Sequence, residues 1–218
     1  MSDTFDSVIF DLDGTLIDSG PGILQGFSQA FVQCGVTPLA PWSTSLIGPP
    51  LLQVIARQCG SQDHVLLERI KAAFVERYDN EGFRLSTPYL GIQTMLDTLF
   101  NRNIRLYIAT NKRIYPTQCI MKLLNWSSIF EGVYGIDSLV SPPVPQKKDV
   151  IRHITTHFDL SHARTLYVGD RYEDYQAATS AGLDFALATW GFGDAESLVP
   201  PNKPRLGCAD ALCKLVLL

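Results

Sequence analysis

The chain has little with which to hold a nucleic acid or a bilayer. Its 18 lysines and arginines are outnumbered by 22 aspartates and glutamates, for a net charge of −4, so no basic surplus is available to face a phosphate backbone. The adjacent basic pairs, Lys112-Arg113 and Lys147-Lys148, are too short to form a polybasic patch. No run of about 18 apolar residues is present. The N-terminus has neither the basic region nor the apolar stretch of an export signal, so a cytoplasmic protein with no membrane segment is expected. Cysteine is sparse: Cys34, Cys59, Cys119, Cys208 and Cys213 are odd in number and contain no C-x-x-C pair. That argues against a disulfide framework or a zinc site and for reduced, part-buried thiols. His153 and His157 are four apart, but no glutamate accompanies them as in a zincin helix. There are no internal repeats and no low-complexity segments.

What is present is a chain of 218 residues, 46% hydrophobic, able to bury a sizeable core as one domain or as a core with a smaller insert. Its organising stretch lies near the N-terminus. Phe5 and Val8 to Phe10 form a short apolar, β-branched run that reads as a buried strand, and it stops at Asp11. Asp13 follows two residues later, and Gly14 allows a tight turn. In a chain leaving a strand, that spacing aims two carboxylates beyond the strand end, where open α/β sheets place their ligands. The pair suits metal-assisted phosphoryl transfer. Asp11 is placed to attack phosphorus and form an aspartyl phosphate, and Asp13 to protonate the leaving oxygen and then take a proton from water. Two acids so close also call for a cation, and Mg²⁺ takes oxygen ligands from carboxylates and substrate phosphate.

From Gly20 to about Ser86 the pattern is helical, with Ile23, Leu24, Phe27, Ala30 and Phe31 at helix spacing, a second short helix after Pro49-Pro50, and a third capped by Asp63. An all-helical piece directly after a catalytic strand suggests a lid that excludes water. Helix and strand then alternate. Strand 104–109 ends in Thr110-Asn111-Lys112, whose hydroxyl and amide can donate to a phosphate oxygen. A connection over Ser138 to Pro145 delivers Lys147-Lys148 at a helix start, where a lysine reaching back would balance the nucleophile and the transferring group. Strand 164–168 again ends in acid, Gly169-Asp170-Arg171-Tyr172-Glu173-Asp174. Asp170 is placed to bind metal opposite Asp11, and Asp174 to hold a metal-bound water or the lysine. Trp190-Gly191-Phe192-Gly193 reads as an aromatic loop that either faces the helical insert or covers the sheet edge, the second favoured.

The run Phe10-Asp11-Leu12-Asp13-Gly14-Thr15-Leu16-Ile17-Asp18-Ser19 resembles the first motif of the haloacid dehalogenase superfamily in its phosphatase form. The dehalogenases lack the second acid; Asp13 is present here. In that likeness Thr110 is the second motif, Lys147 the third in its K-x-D-V-I variant with Lys148 the alternative, and Val168-Gly169-Asp170 through Asp174 the fourth. Gly20 to Ser86 is similar to the α-helical cap of the phosphoglycolate phosphatase-like branch, with Ile47-Gly48-Pro49-Pro50-Leu51 at its specificity loop.

The four motifs in order imply an α/β fold: a three-layer, Rossmann-like parallel sheet core over 1–19 and 87–218, with the cap inserted over 20–86. The resemblance implies catalysis by Asp11, Asp13, Thr110 and Lys147, phosphate contacts from Gly14, Thr110, Asn111 and Lys147, and Mg²⁺ on Asp11, Asp170 and the main-chain carbonyl of Asp13, with Asp174 behind. The expected protein is a monomeric or homodimeric Mg²⁺-dependent phosphatase of a small phosphate ester, phosphoglycolate favoured, with nucleoside monophosphates and pyrophosphate behind. A phosphomutase and a catalytically silent binding module are the alternatives. Phosphonate cleavage would need a Schiff-base lysine, and 20–86 contains only Lys71.

Overall fold

The computed structural model describes residues 5–139, 145–193 and 197–217. The connection expected over Ser138 to Pro145 falls largely outside them. The chain forms two compact units, one comprising the residues up to Asp18 and those from Pro88 onward, the other Ser19–Thr87.

The first unit is built on a six-stranded parallel sheet of β1 (Ser7–Phe10), β4 (Arg105–Ala109), β5 (Gly132–Tyr134), β6 (Thr165–Gly169), β7 (Asp184–Ala188) and β8 (Arg205–Leu206), in the order β5-β4-β1-β6-β7-β8. The two-residue strands β2 (Ile17–Asp18) and β3 (Thr87–Pro88) lie where the chain passes from one unit to the other. β1, β4 and β6 are buried almost throughout, as strands covered on both faces must be. Helices α4 (Ile92–Asn101), α5 (Ile114–Leu123), α6 (Lys147–His157), α7 (Tyr172–Ser180) and α8 (Ala209–Leu217) complete this unit.

Strand alternation sorts the core. Ile9, Tyr107, Ala109, Tyr167 and Phe185 share one cluster with Val150, Ile151 and Ile154 of α6 and Ala177 and Ala178 of α7. Phe10 points the other way, edge-on to Phe130, which in turn contacts Trp126. Trp126 is fully buried, and its indole N–H donates to Gln93 of α4 at 2.7 Å. A buried indole without that partner would forfeit about 1–3 kcal/mol.

Topology fixes where the loops diverge. After β1 the chain lays β4 on one side and later β6 on the other, so β1 is the switch point of the sheet. The register is level: Phe10 pairs with Ile108 on one flank and Val168 on the other. Asp11, Thr110 and Asp170 therefore leave three neighbouring strands at the same carboxyl end.

The second unit holds α1 (Gly20–Gln33), α2 (Leu51–Cys59) and α3 (His64–Asn80). Phe27 stacks on Phe74 at 4.5 Å and on Trp42 at 5.5 Å. Asp63 caps α3, accepting from the Val65 N–H at 3.0 Å, which satisfies a donor the helix leaves open. α3 runs to Asn80, two residues past the end expected from spacing at about Tyr78.

Candidate active site

Three carboxylates meet beyond the central strands. Oxygens of Asp11, Asp170 and Asp174 lie within 4.8 Å of one another, and all three residues are buried. Asp11 is carried by the end of β1, Asp170 by the end of β6, and Asp174 by the first turn of α7. Lys147, the first residue of α6, reaches between two of them: its Nζ donates to Asp11 Oδ1 at 2.8 Å and to Asp174 Oδ1 at 2.5 Å. Asp174 Oδ2 accepts from the Arg171 N–H at 3.0 Å, which fixes the carboxylate as it turns toward the lysine.

Of the two candidate lysines, it is Lys147 that is buried beside Asp11, whereas Lys148 is part-exposed. The local reason is helix geometry. Gln146 and Asp149 close a capping box, the Gln146 N–H donating to Asp149 Oδ2 at 2.9 Å, and this start directs Lys147 inward.

Burial sets the electrostatics. It lifts the Asp11 carboxyl to about 6, against the pull of Lys147 and with the help of Asp174. Asp170 rises to about 7, first through burial and then through repulsion from Asp174 and Asp11. Burial works against the Lys147 charge, yet Asp11 and Asp174 hold its pKa well above the ordinary lysine value. A buried cluster in which Asp11 and Asp170 resist ionising, and whose donors are hard oxygens, fits a small divalent cation such as Mg²⁺.

Gly14 adopts φ +88°, and a side chain there would run into the Asp170 carboxylate. Only glycine serves both needs. Thr110 is buried, and its Oγ1 accepts from the Lys112 N–H at 3.2 Å, so the hydroxyl proton is left to donate elsewhere. Asn111 is exposed. Asp13 does not join the three-carboxylate cluster through its side chain; Lys112 Nζ holds it at 2.9 and 3.1 Å.

Two features escaped the sequence. Lys112 is one, although its position two residues past Thr110 in a strand-end run was a usable signal. The other is the loop Trp190 to Gly193, expected to cover the sheet edge. It instead turns onto Asp170, whose Oδ2 accepts from the N–H groups of Phe192 at 2.8 Å and Gly193 at 3.1 Å. These contacts to Asp170 are made by backbone N–H groups, which the aromatic side chains of the loop do not signal. Lys71 is part-exposed and paired with Glu68 at 3.1 Å. Among the described residues no helix is long and apolar enough to cross a membrane.

Comparison with known proteins places this architecture. The family model for haloacid dehalogenase-like hydrolases matches residues 8–188. A phosphoglycolate phosphatase of Cereibacter sphaeroides is 32% identical over 194 residues, 86% of this chain and 87% of that protein. A tyrosine-protein kinase, PtkA, of Mycobacterium tuberculosis is 30% identical over 190 residues, 87% of this chain; the chain spans 64% of that relative's length. Among solved structures, a haloacid dehalogenase-like family hydrolase from Streptococcus pneumoniae superposes with a TM-score of 0.84 at 27% identity, covering 98% of this chain and 99% of that one.

Proposed function

This chain belongs to the haloacid dehalogenase-like hydrolases, and from that premise we propose that it is a phosphatase cleaving a small phosphate monoester through an aspartyl phosphate on Asp11. The observation that carries the reading is the meeting of Asp11, Asp170, Asp174 and Lys147 at the switch point of the sheet. With a divalent cation bound, the three carboxylates and Lys147 would come near neutrality, leaving the cation and the ammonium to attract an anionic ester.

Lys147 occupies Asp11 Oδ1, so Oδ2 is the oxygen that attacks phosphorus. As the new P–O bond forms, the ester bond to the alcohol breaks, and the Asp13 carboxyl passes its proton to the departing oxygen. Thr110 donates its hydroxyl to a phosphoryl oxygen, with Gly14 and Asn111 beside it. Lys147 offsets the charge of the nucleophile and the phosphoryl group. Water then attacks the aspartyl phosphate, its proton returning to Asp13, and phosphate leaves. Mg²⁺, held by Asp11, Asp170 and the Asp13 main-chain carbonyl, would supply positive charge to the transferring group. Asp174 acts behind these through Lys147.

The helical unit Ser19–Thr87 is read as the family's cap, on the strength of its insertion between Asp18 and Pro88. The cap loop Ile47 to Leu51 has no charge to grip a highly anionic leaving group, and phosphoglycolate is favoured by the likeness to phosphatases of that name. Transfer of the phosphoryl group to an acceptor other than water is the second reading, favoured by the match to a protein named a tyrosine-protein kinase.

The test is phosphate release from a panel of phosphoglycolate, nucleoside monophosphates and pyrophosphate, with Mg²⁺ and with chelator, comparing wild type with Asp11→Asn. Metal-dependent release that the variant loses supports the reading. Release that persists in pure Asp11→Asn refutes the nucleophile, and labelled protein without free phosphate moves the assignment to transfer.

A further inference from the structure

The loop Trp190 to Gly193 follows β7, a strand that carries none of the four motifs, yet it is built into the acidic cluster. Three contacts are made within four residues. The Trp190 indole N–H donates to the main-chain carbonyl of Thr15 at 3.0 Å. The Phe192 and Gly193 N–H groups donate to Asp170 Oδ2 at 2.8 and 3.1 Å. Both glycines are required by close approach: a side chain at Gly191 would strike the Gly14 carbonyl and the Asp170 carboxylate, and one at Gly193 the Asp170 carbonyl.

We propose that Trp190-Gly191-Phe192-Gly193 is a positioning clamp for the metal site. Two backbone donors hold Asp170 Oδ2 and thereby turn Oδ1 toward the space shared with Asp11, while the Trp190 anchor ties the same loop to the turn after Asp11. The inference rests on the reading of Asp170 as a metal ligand and goes beyond it by assigning a role to residues that touch neither metal nor substrate.

The physical reasoning is that of outer-sphere contacts generally. A carboxylate with one oxygen already committed presents a single oxygen in a fixed direction, and partners of this kind typically change metal affinity by about 10–100-fold when lost. Mg²⁺-sized ions demand a near-ideal octahedron, whereas Ca²⁺ accepts looser and more variable geometry. Freeing Asp170 should therefore weaken small ions more than large ones. Thr15 Oγ1 lies 3.5 Å from Asp170 Oδ1, too far to replace the clamp.

The experiment uses Mn²⁺ as the probe, with free ion read by electron paramagnetic resonance and Ca²⁺ as competitor. It compares the full-length chain with Gly191→Ala, with Phe192→Pro, which deletes one donor, and with Trp190→Phe, the mildest change. Melting temperatures are recorded for each. Gly191→Ala and Phe192→Pro are expected to lose about tenfold or more in Mn²⁺ affinity, with Trp190→Phe between them and wild type, and in each case with a lower ratio of Mn²⁺ to Ca²⁺ affinity. Folded variants that bind Mn²⁺ within twofold of wild type, or that lose Mn²⁺ and Ca²⁺ equally, overturn the clamp while leaving the metal reading intact. If Gly191→Ala fails to fold, Phe192→Pro and Trp190→Phe decide. Wild-type protein that binds no Mn²⁺ overturns the metal reading and the clamp with it.

Discussion

Lys112 Nζ lies 2.9 Å and 3.1 Å from the two carboxylate oxygens of Asp13, although the residues are 99 apart in sequence. Both side chains are largely shielded, at 6% and 13% exposure. An ammonium bracketing both oxygens fixes the carboxylate's position, a restraint that a solvent-exposed pair would not impose. Lys112 and Lys147 thus divide the work, each holding one of the first motif's two acids.

If Lys112 acts through Asp13, its loss will matter most where the leaving oxygen needs a proton. Lys112→Met is expected to lower kcat/KM for an alkyl phosphate about 10–100-fold, a part of the roughly 10²–10⁴-fold that general acid catalysis supplies. For p-nitrophenyl phosphate, whose leaving group needs no protonation, the loss should be a few-fold. Steady-state kinetics on both substrates, repeated in an Asp13→Asn background where Lys112→Met should add little, checks this. Equal losses on both substrates would refute it.

Lys147 and Lys148 should separate cleanly. Lys147→Met leaves Asp11 and Asp174 buried and unpaired, and turnover is expected to fall by about 10³-fold or more. Lys148→Met removes a part-exposed charge and should stay within about twofold. Turnover of the two variants under identical metal concentrations is the measurement; a Lys148 loss as deep as that of Lys147 would reverse the assignment.

Burial makes the charge of Asp11 costly to the fold. Its carboxyl is raised to about 6 in the fold, so at pH 8 the folded state carries a charge it disfavours. Asp11→Asn removes that charge at nearly constant shape. The metal-free variant is expected to melt a few degrees above wild type at pH 8 while losing turnover. Calorimetry in chelator checks it, and a lower melting temperature than wild type would contradict it.

The pH dependence of stability follows from the same two groups. Asp11 and Asp170, raised to about 6 and about 7, hold protons in the folded state that an unfolded aspartate releases near its ordinary value of about 3.9. The folded state binds more protons between those values, so stability falls as pH rises from about 4 to about 7 and is flat in this contribution above that. Bound Mg²⁺ would offset both the burial of these charges and their mutual repulsion, so its effect on melting temperature is expected to be larger at pH 8 than at pH 5. A Mg²⁺ shift that is the same at both values would sink this account.

The sequence by itself determined where the chemistry-bearing strands end. Phe10-Asp11 and Gly169-Asp170 each stop an apolar run at a carboxylate, and that local pattern is enough to place acids at the mouth of a parallel sheet. The α/β class was legible for the same reason, since periodicity and strand ends are properties of contiguous residues. What only the tertiary structure decided are the partnerships across the chain. Lys147 rather than Lys148 meets Asp11 because the capped start of α6 turns it inward. Lys112 finds Asp13 because β4 lies beside β1 in register. The Trp190 to Gly193 loop reaches Asp170 because β7 lies beside β6. Each depends on which strands are neighbours and at what level, and strand order is written in packing between distant residues rather than in any one stretch of chain.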